Sequence, residues 1–175
     1  MILPRNLDKY RNSELLPFHS HHHRYGKKTV FSNLYPSQFT INDVKFNCVE
    51  QWITYNKAIK FGDTHMANRV LSIDNPIIIK EYGKKILNFN QEIWNKIAFK
   101  IILQGCFAKF SQNNELKNIL LATQNKLLIF VSLSDNILGI GLSISEFRIY
   151  PREEWGQNQL GIILMRIREL LNNDD

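Results

Sequence analysis

The stretch NFNQEIWNKIAFKIILQGCFAKF, residues 88–110, constrains the fold more than any other part of the chain. Ile93, Trp94, Ile97, Ile101 and Ile102 recur at three- and four-residue spacing, which is the period of one helix face. The pattern predicts a helix over 91–110 with a core-facing stripe. Helical patterns surround it. One runs over about 48–61 and stops at Gly62, and a second spans about 63–73. Asn75 as N-cap and Pro76 at the first helical position start a third, reaching about Leu87. NNELKNILLAT, beginning at residue 113, gives another, and NQLGIILMRIRELL closes the chain as an amphipathic helix.

Strand signals are few. Short strands are expected near 29–31 and 39–41, with IND turning into a strand at 44–46. KLLIFVS, from residue 126, reads as a buried strand, and FRIY, residues 147–150, as an edge strand ending at Pro151. Short strands, many helices, one or two strands and a last helix make an α+β chain: a mainly helical single domain with a small β-sheet. Regular strand–helix alternation is missing, which argues against a doubly wound sheet. Residues 1–17 read as a loosely ordered N-terminal lead-in and 18–173 as the domain.

Composition excludes other classes. Apolar residues make up 44%, and eleven Phe, six Tyr and three Trp argue against disorder. No apolar run approaches the ~20 residues that span a bilayer. The first residues mix charge and Pro with no continuous apolar segment, so a cytoplasmic location without membrane contact is expected. Cys48 and Cys106 read as reduced, buried thiols. The net charge of +6 favours anionic partners, but the basic residues are scattered and match no nucleic-acid-binding signature.

His19, His21, His22 and His23 form the loudest motif. Adjacent imidazoles on a loop rarely converge on one metal, and no HExxH-type partner exists, so no native metal site is expected. Asn33, in FSNLYPSQF, either hydrogen-bonds a ligand or closes a turn. Glu50 and Lys57 lie seven residues apart in CVEQWITYNKA, so on a helix they point the same way. Val49, Trp52, Ile53, Tyr55 and Ala58 leave this helix little polar face. The two charges are either a solvated pair or a carboxylate and an amine held in a pocket. A partly buried Lys has a lowered pKa and attacks carbonyl carbon, and a nearby Glu moves the proton. Asp135 follows the strongest strand, where a loop exposes a side chain on a fixed backbone. Gly139 and Gly141 let backbone approach a phosphate or simply make a turn. Trp155 and Asn158 flank the start of the last helix, a place that favours anions, with Trp155 offering a stacking face.

These segments, in order, resemble the YbiA-like, or NADAR, family of N-glycosidases acting on riboflavin-biosynthesis intermediates. The likeness covers roughly residues 18–171 and rests on FHS, FSNLYP, VEQWITYNKA, Trp94, AKF at 108–110, LLAT, DNILGIG and GQNQLGIILMRIR. The last segment is the most specific. Two positions depart: Phe130 stands where the family usually has Glu, and Leu138 where it usually has Trp.

The resemblance implies hydrolysis of the bond between ribose C1 and an exocyclic nitrogen. The substrates would be the first two riboflavin-pathway intermediates, phosphoribosylamino-pyrimidines, releasing ribose 5-phosphate. A second reading is removal of ADP-ribose from guanine in nucleic acid. A third, motivated by Phe130 and Leu138, is a non-catalytic ADP-ribose- or nucleotide-binding module. The resemblance makes Glu50, Lys57 and Asp135 the expected catalytic residues. Asn33, Trp52, Tyr55, Gly139, Gly141, Trp155 and Asn158 are the expected substrate-binding ones. Either Glu50 or Asp135 activates water against an oxocarbenium-like carbon, or Lys57 forms a Schiff base at C1 after ring opening. Phosphate is expected at the helix start near 156–158, with Trp52, Tyr55 or Trp155 stacked on the base. Neither route calls for a metal or cofactor, and no obligate protein partner is implied.

Overall fold

The computed structural model describes residues 14–19 and 23–173. Ten elements follow in order: β1 (Leu15–Phe18), β2 (Phe39–Ile41), β3 (Val44–Phe46), α1 (Val49–Lys60), α2 (Thr64–Leu71), α3 (Pro76–Gly83), α4 (Gln91–Ser111), α5 (Asn114–Leu121), β4 (Leu127–Phe130) and α6 (Gln159–Asn173). The architecture is α+β and mostly helical. Its sheet content is two small pairs. β1 lies parallel to β4, with Leu15 opposite Leu127 and Phe18 opposite Phe130. β2 and β3 form an antiparallel hairpin through Asn42 and Asp43, whose φ values of 50° and 63° are the left-handed pair a tight hairpin turn requires. β1 takes in residues 15–17, which lie within the expected lead-in, because its backbone pairs with the buried strand β4.

Short polar side chains start the helices. Asn75 accepts from the Ile77 and Ile78 N–H groups, with Pro76 at the first position. Asn90 accepts from Ile93 N–H at 3.0 Å, and Asp63 from Met66 N–H at 3.0 Å. α1 is different. Cys48 offers no side-chain cap, so the Glu50 N–H is satisfied by Asn33 O at 2.9 Å, from the loop before β2. Gln51 fixes the other side of this junction. Its Oε1 accepts from Asn47 N–H at 2.7 Å, and its Nε2 donates to Val70 O at 2.8 Å at the end of α2. A loop and a second helix therefore set the position of α1.

The core lies between α4, α6 and the β1–β4 pair, with Phe18, Phe31, Phe110, Leu120, Leu127, Leu128, Ile129, Ile163 and Leu164 all but fully buried. Each such side chain contributes about 1.5–3 kcal/mol. Arg168 ties α6 to the start of β4 by donating to Thr123 Oγ1 at 2.7 Å and Lys126 O at 3.0 Å.

Three expectations are corrected. Residues 29–31 are no strand but the end of a 3-10 segment, His23–Phe31, kinked at Gly26 where φ is 74°. The Val30 and Ser32 carbonyls accept from the buried Lys109 ammonium, so they are not available to a strand neighbour. Residues 147–150 form turns, because Ser143 and Glu146 make a reciprocal cap: Ser143 N–H donates to Glu146 Oε2, and Glu146 N–H to Ser143 Oγ. Ile93 is 42% exposed, and the buried face of α4 instead carries Trp94, Ile102, Gly105, Cys106, Lys109 and Phe110. Most of the His19–His23 run lies outside the described residues. Among the described residues no helix is long and apolar enough to cross a membrane.

Candidate active site

Glu50 occupies the first turn of α1 and Lys57 lies two turns later. Seven residues bring them within about 20° in direction and separate their Cα atoms by about 10 Å along the axis. Lys57 Nζ donates to Gly83 O at 3.0 Å, at the last residue of α3. It also sits 3.9 Å above the Phe89 ring centroid and 5.8 Å from that of Trp94. Burial lowers the Lys57 pKa from the usual lysine value, and the Glu50 charge opposes this. Burial raises the Glu50 pKa; Lys80 and then Lys57 pull it down, and Asp135 pushes it up. Three charged groups therefore act on Glu50: Lys57 from α1, Lys80 from α3, and Asp135 from the loop after β4.

Asp135 is held by its own turn. Its Oδ1 accepts from Ile137 N–H at 3.0 Å and Leu138 N–H at 2.8 Å. The loop folds back so that Ile140 N–H donates to Phe130 O at 3.0 Å and Gly141 N–H to Asp135 O at 3.1 Å. Gly139 is where this loop rests on β4: a Cβ there would lie 2.7 Å from Phe130 O. Gly141 takes a left-handed φ of 71°. Both glycines shape the loop that presents Asp135. Phe130 stacks on Phe18, with centroids 5.4 Å apart.

Asn33 is 6% exposed. Its carbonyl anchors α1, and its Oδ1 faces Cys106 Sγ at 3.6 Å. Lys109, 1% exposed, holds the same loop by donating to Val30 O and, at 2.9 Å, to Ser32 O. Burial drops its pKa to about 8, with the Cys106 and Cys48 charges opposing. Burial likewise pushes the Cys48 thiol up to about 11 and the Cys106 thiol up to about 12, so neither is a ready nucleophile.

Other expected site residues are placed elsewhere. Trp52 is 6% exposed, donates Nε1–H to Ile101 O at 2.7 Å and meets Phe46 edge-on at 5.1 Å. Its ring is a core anchor, on the far side of α1 from Glu50. A shallow depression of about 430 Å³ lies there, between Trp52, Asn56, Asn42, Gln104 and Phe107. It carries no titratable group. Tyr55 packs edge-on against Phe46 at 5.6 Å. Trp155 donates Nε1–H to Tyr150 O at 3.2 Å and packs against Phe147. Asn158 is 1% exposed. Its Nδ2 donates to Leu128 O at 2.9 Å and its Oδ1 accepts from Phe130 N–H at 2.9 Å, so it pairs with β4 as a neighbouring strand would. The expected phosphate donors at the start of α6 are occupied as well. The N–H groups of Gly156, Gln157 and Asn158 donate to Ile140 O, Asn136 O and Gly139 O, at 2.8, 2.8 and 3.0 Å.

Sequence reasoning missed Lys80 and Phe89. Lys80 carries no local signal, since it reaches Glu50 only through the packing of α3 on α1. Phe89 stands on a connection with no periodicity to read.

Comparison with known proteins identifies the family and the fold. The NADAR domain model matches residues 18–172. An N-glycosidase of Acanthamoeba polyphaga mimivirus is 36% identical over 158 residues, covering 87% of this chain and 93% of that protein. The Caenorhabditis elegans protein irg-1 is 34% identical over 164 residues, covering 84% and 77%. The solution structure of Escherichia coli YbiA superposes with a TM-score of 0.76 at 22% identity, covering 93% of this chain and 87% of that one, so the fold is the same. The chain belongs to the NADAR family.

Proposed function

We propose that the protein is an N-glycosidase that hydrolyses the bond between ribose C1 and an exocyclic amine through a Schiff base on Lys57. The observation that carries this reading is the opposed pair on α1: burial lowers the Lys57 pKa and raises that of Glu50. Both shifts move the groups toward the range where an amine attacks and a carboxyl gives up its proton near neutral pH. In a ring-opened N-ribosylamine, C1 is double-bonded to the exocyclic nitrogen. The neutral Lys57 amine adds to C1, Glu50 gives its proton to the departing nitrogen, and the free amine leaves. Glu50, now a carboxylate, takes a proton from water as the oxygen adds to the lysine imine. Collapse releases the sugar aldehyde and restores Lys57, with one water consumed. Asp135 keeps proton affinity on Glu50 through its charge. Lys80 is the cation placed to take a sugar phosphate, since the N–H groups at the start of α6 are engaged.

The substrates we assign are the phosphoribosylamino-pyrimidines that begin riboflavin biosynthesis. The second reading, removal of ADP-ribose from guanine, draws on the net charge of +6 and on exposed Lys80, Lys84 and Lys85 along and just past α3. A non-catalytic binding module is the third reading. The test is release of free base and ribose 5-phosphate from the two intermediates, beside an ADP-ribosylated guanine oligonucleotide, for the wild type and Glu50→Ala. Turnover of the small substrates that the variant loses supports the assignment. Turnover of the oligonucleotide alone moves the function to nucleic acid. Binding without turnover of either supports the module.

A further inference from the structure

Phe89 is a large apolar side chain, 37% exposed, on the short connection between α3 and α4. It follows Asn88, whose φ of 54° is left-handed, and precedes Asn90, the cap of α4. The connection is tied down. Leu87 N–H donates to Asp63 Oδ2 at 3.0 Å, while Asp63 Oδ1 caps α2. Phe61, just past α1, meets the Phe89 ring edge-on at 5.2 Å.

Its ring lies 3.9 Å from Lys57 Nζ, and the same nitrogen donates to Gly83 O at 3.0 Å. That carbonyl belongs to the C-terminal turn of α3, where the helix dipole favours a cation, and the aromatic face does so too; burial works against both and leaves the Lys57 pKa lowered overall. A lysine has four rotatable bonds, and its amine reacts only while held about 3–3.5 Å from its target. Ring and carbonyl restrict it from two directions.

We propose that Phe89 is a positioning residue for Lys57: its ring and the Gly83 carbonyl form a seat that aims the amine at the sugar carbon. This rests on Lys57 being the nucleophile. The charged groups around the seat are Glu50 on α1, Lys80 on α3 and Asp135 beyond β4, the last two acting on Lys57 through Glu50. α4 contributes the Trp94 ring at 5.8 Å.

The test uses the full chain labelled with 13C at lysine Cε, with Phe89→Leu and Phe89→Tyr. Protons above a ring shift upfield, so the wild type shows a strongly shifted lysine signal that Lys57→Met removes, apart from any shift of Lys109, whose Nζ lies 5.2 Å from the Phe110 centroid. Phe89→Leu abolishes the shift and lowers kcat about tenfold with KM within about twofold. Phe89→Tyr, which keeps the ring face, retains both. Three results overturn the proposal: no upfield signal in the wild type, a Leu variant with wild-type kcat, or Tyr and Leu variants equally impaired. An inactive wild type overturns the functional reading, and the positioning role with it, even where the shifted signal shows that the seat exists.

Discussion

Replacing Asn158 separates a structural role from a substrate-binding one. In Asn158→Ala two buried backbone groups lose their partners, the Phe130 N–H and the Leu128 C=O, each bonded at 2.9 Å. Leaving such a group unpaired costs about 1–3 kcal/mol. Asn158 also sits at a φ of 49°, which costs alanine roughly 1 kcal/mol more. The sum, about 3–7 kcal/mol, is a large part of the 5–15 kcal/mol typical of a domain. At roughly 2–4 °C per kcal/mol, the melting temperature falls by about 6 °C or more. Asn158→Gly removes the φ penalty and leaves the two lost bonds, so it falls between alanine and wild type. Denaturant unfolding and calorimetry measure both, and calorimetric titration of ribose 5-phosphate measures the site separately. An alanine variant that melts within about 2 °C of wild type yet binds the sugar phosphate tenfold more weakly refutes the reasoning and returns Asn158 to the binding site.

Glu50→Gln changes the pH dependence of stability as well as turnover. A carboxyl with a raised folded pKa binds more protons folded than unfolded, so its contribution to stability falls as pH rises from its ordinary 4.5 toward the raised value. Denaturation at several pH values therefore shows the wild type losing stability across that window and the Gln variant staying flat, while turnover drops at least about a hundredfold. Lys80→Met raises KM about tenfold for the phosphorylated substrate and leaves the dephosphorylated analogue unchanged; equal effects on both would remove Lys80 from the phosphate. Gly161→Ala places a Cβ against Leu128 O and 2.6 Å from Asn158 Nδ2, which pushes α6 off β4; urea unfolding should show a loss of about 2–4 kcal/mol.

Which parts of this were legible in the sequence follows from range. The helices are local: the Asn75–Pro76 start, the Gly62 stop and the three- and four-residue spacing over 91–110 involve near neighbours, so the helices were legible, although the stripe over 91–110 wrongly took in Ile93, which is exposed. The shared direction of Glu50 and Lys57 is also a helix property. Residues 147–150 read as an edge strand but form turns, because the Ser143–Glu146 cap closes just before them. Lys109 looks like a solvated charge until the loop at 30–32 closes over it, 77 and 79 residues away in sequence. Trp52 looked like a stacking platform because no local pattern shows that its indole reaches Ile101 O, 49 residues on. Lys80 and Phe89 reach the site only because α3 and its connection fold back on α1, which is decided by tertiary packing and not by period.

The most direct measurement is reduction during turnover. Phosphoribosylamino-pyrimidine is incubated with the wild-type protein and sodium cyanoborohydride, and the digested chain is weighed by mass spectrometry. The account predicts one ribose-phosphate adduct, on Lys57, absent in Lys57→Ala along with turnover. A folded Lys57→Ala protein with undiminished turnover, or an adduct on another lysine, would contradict it.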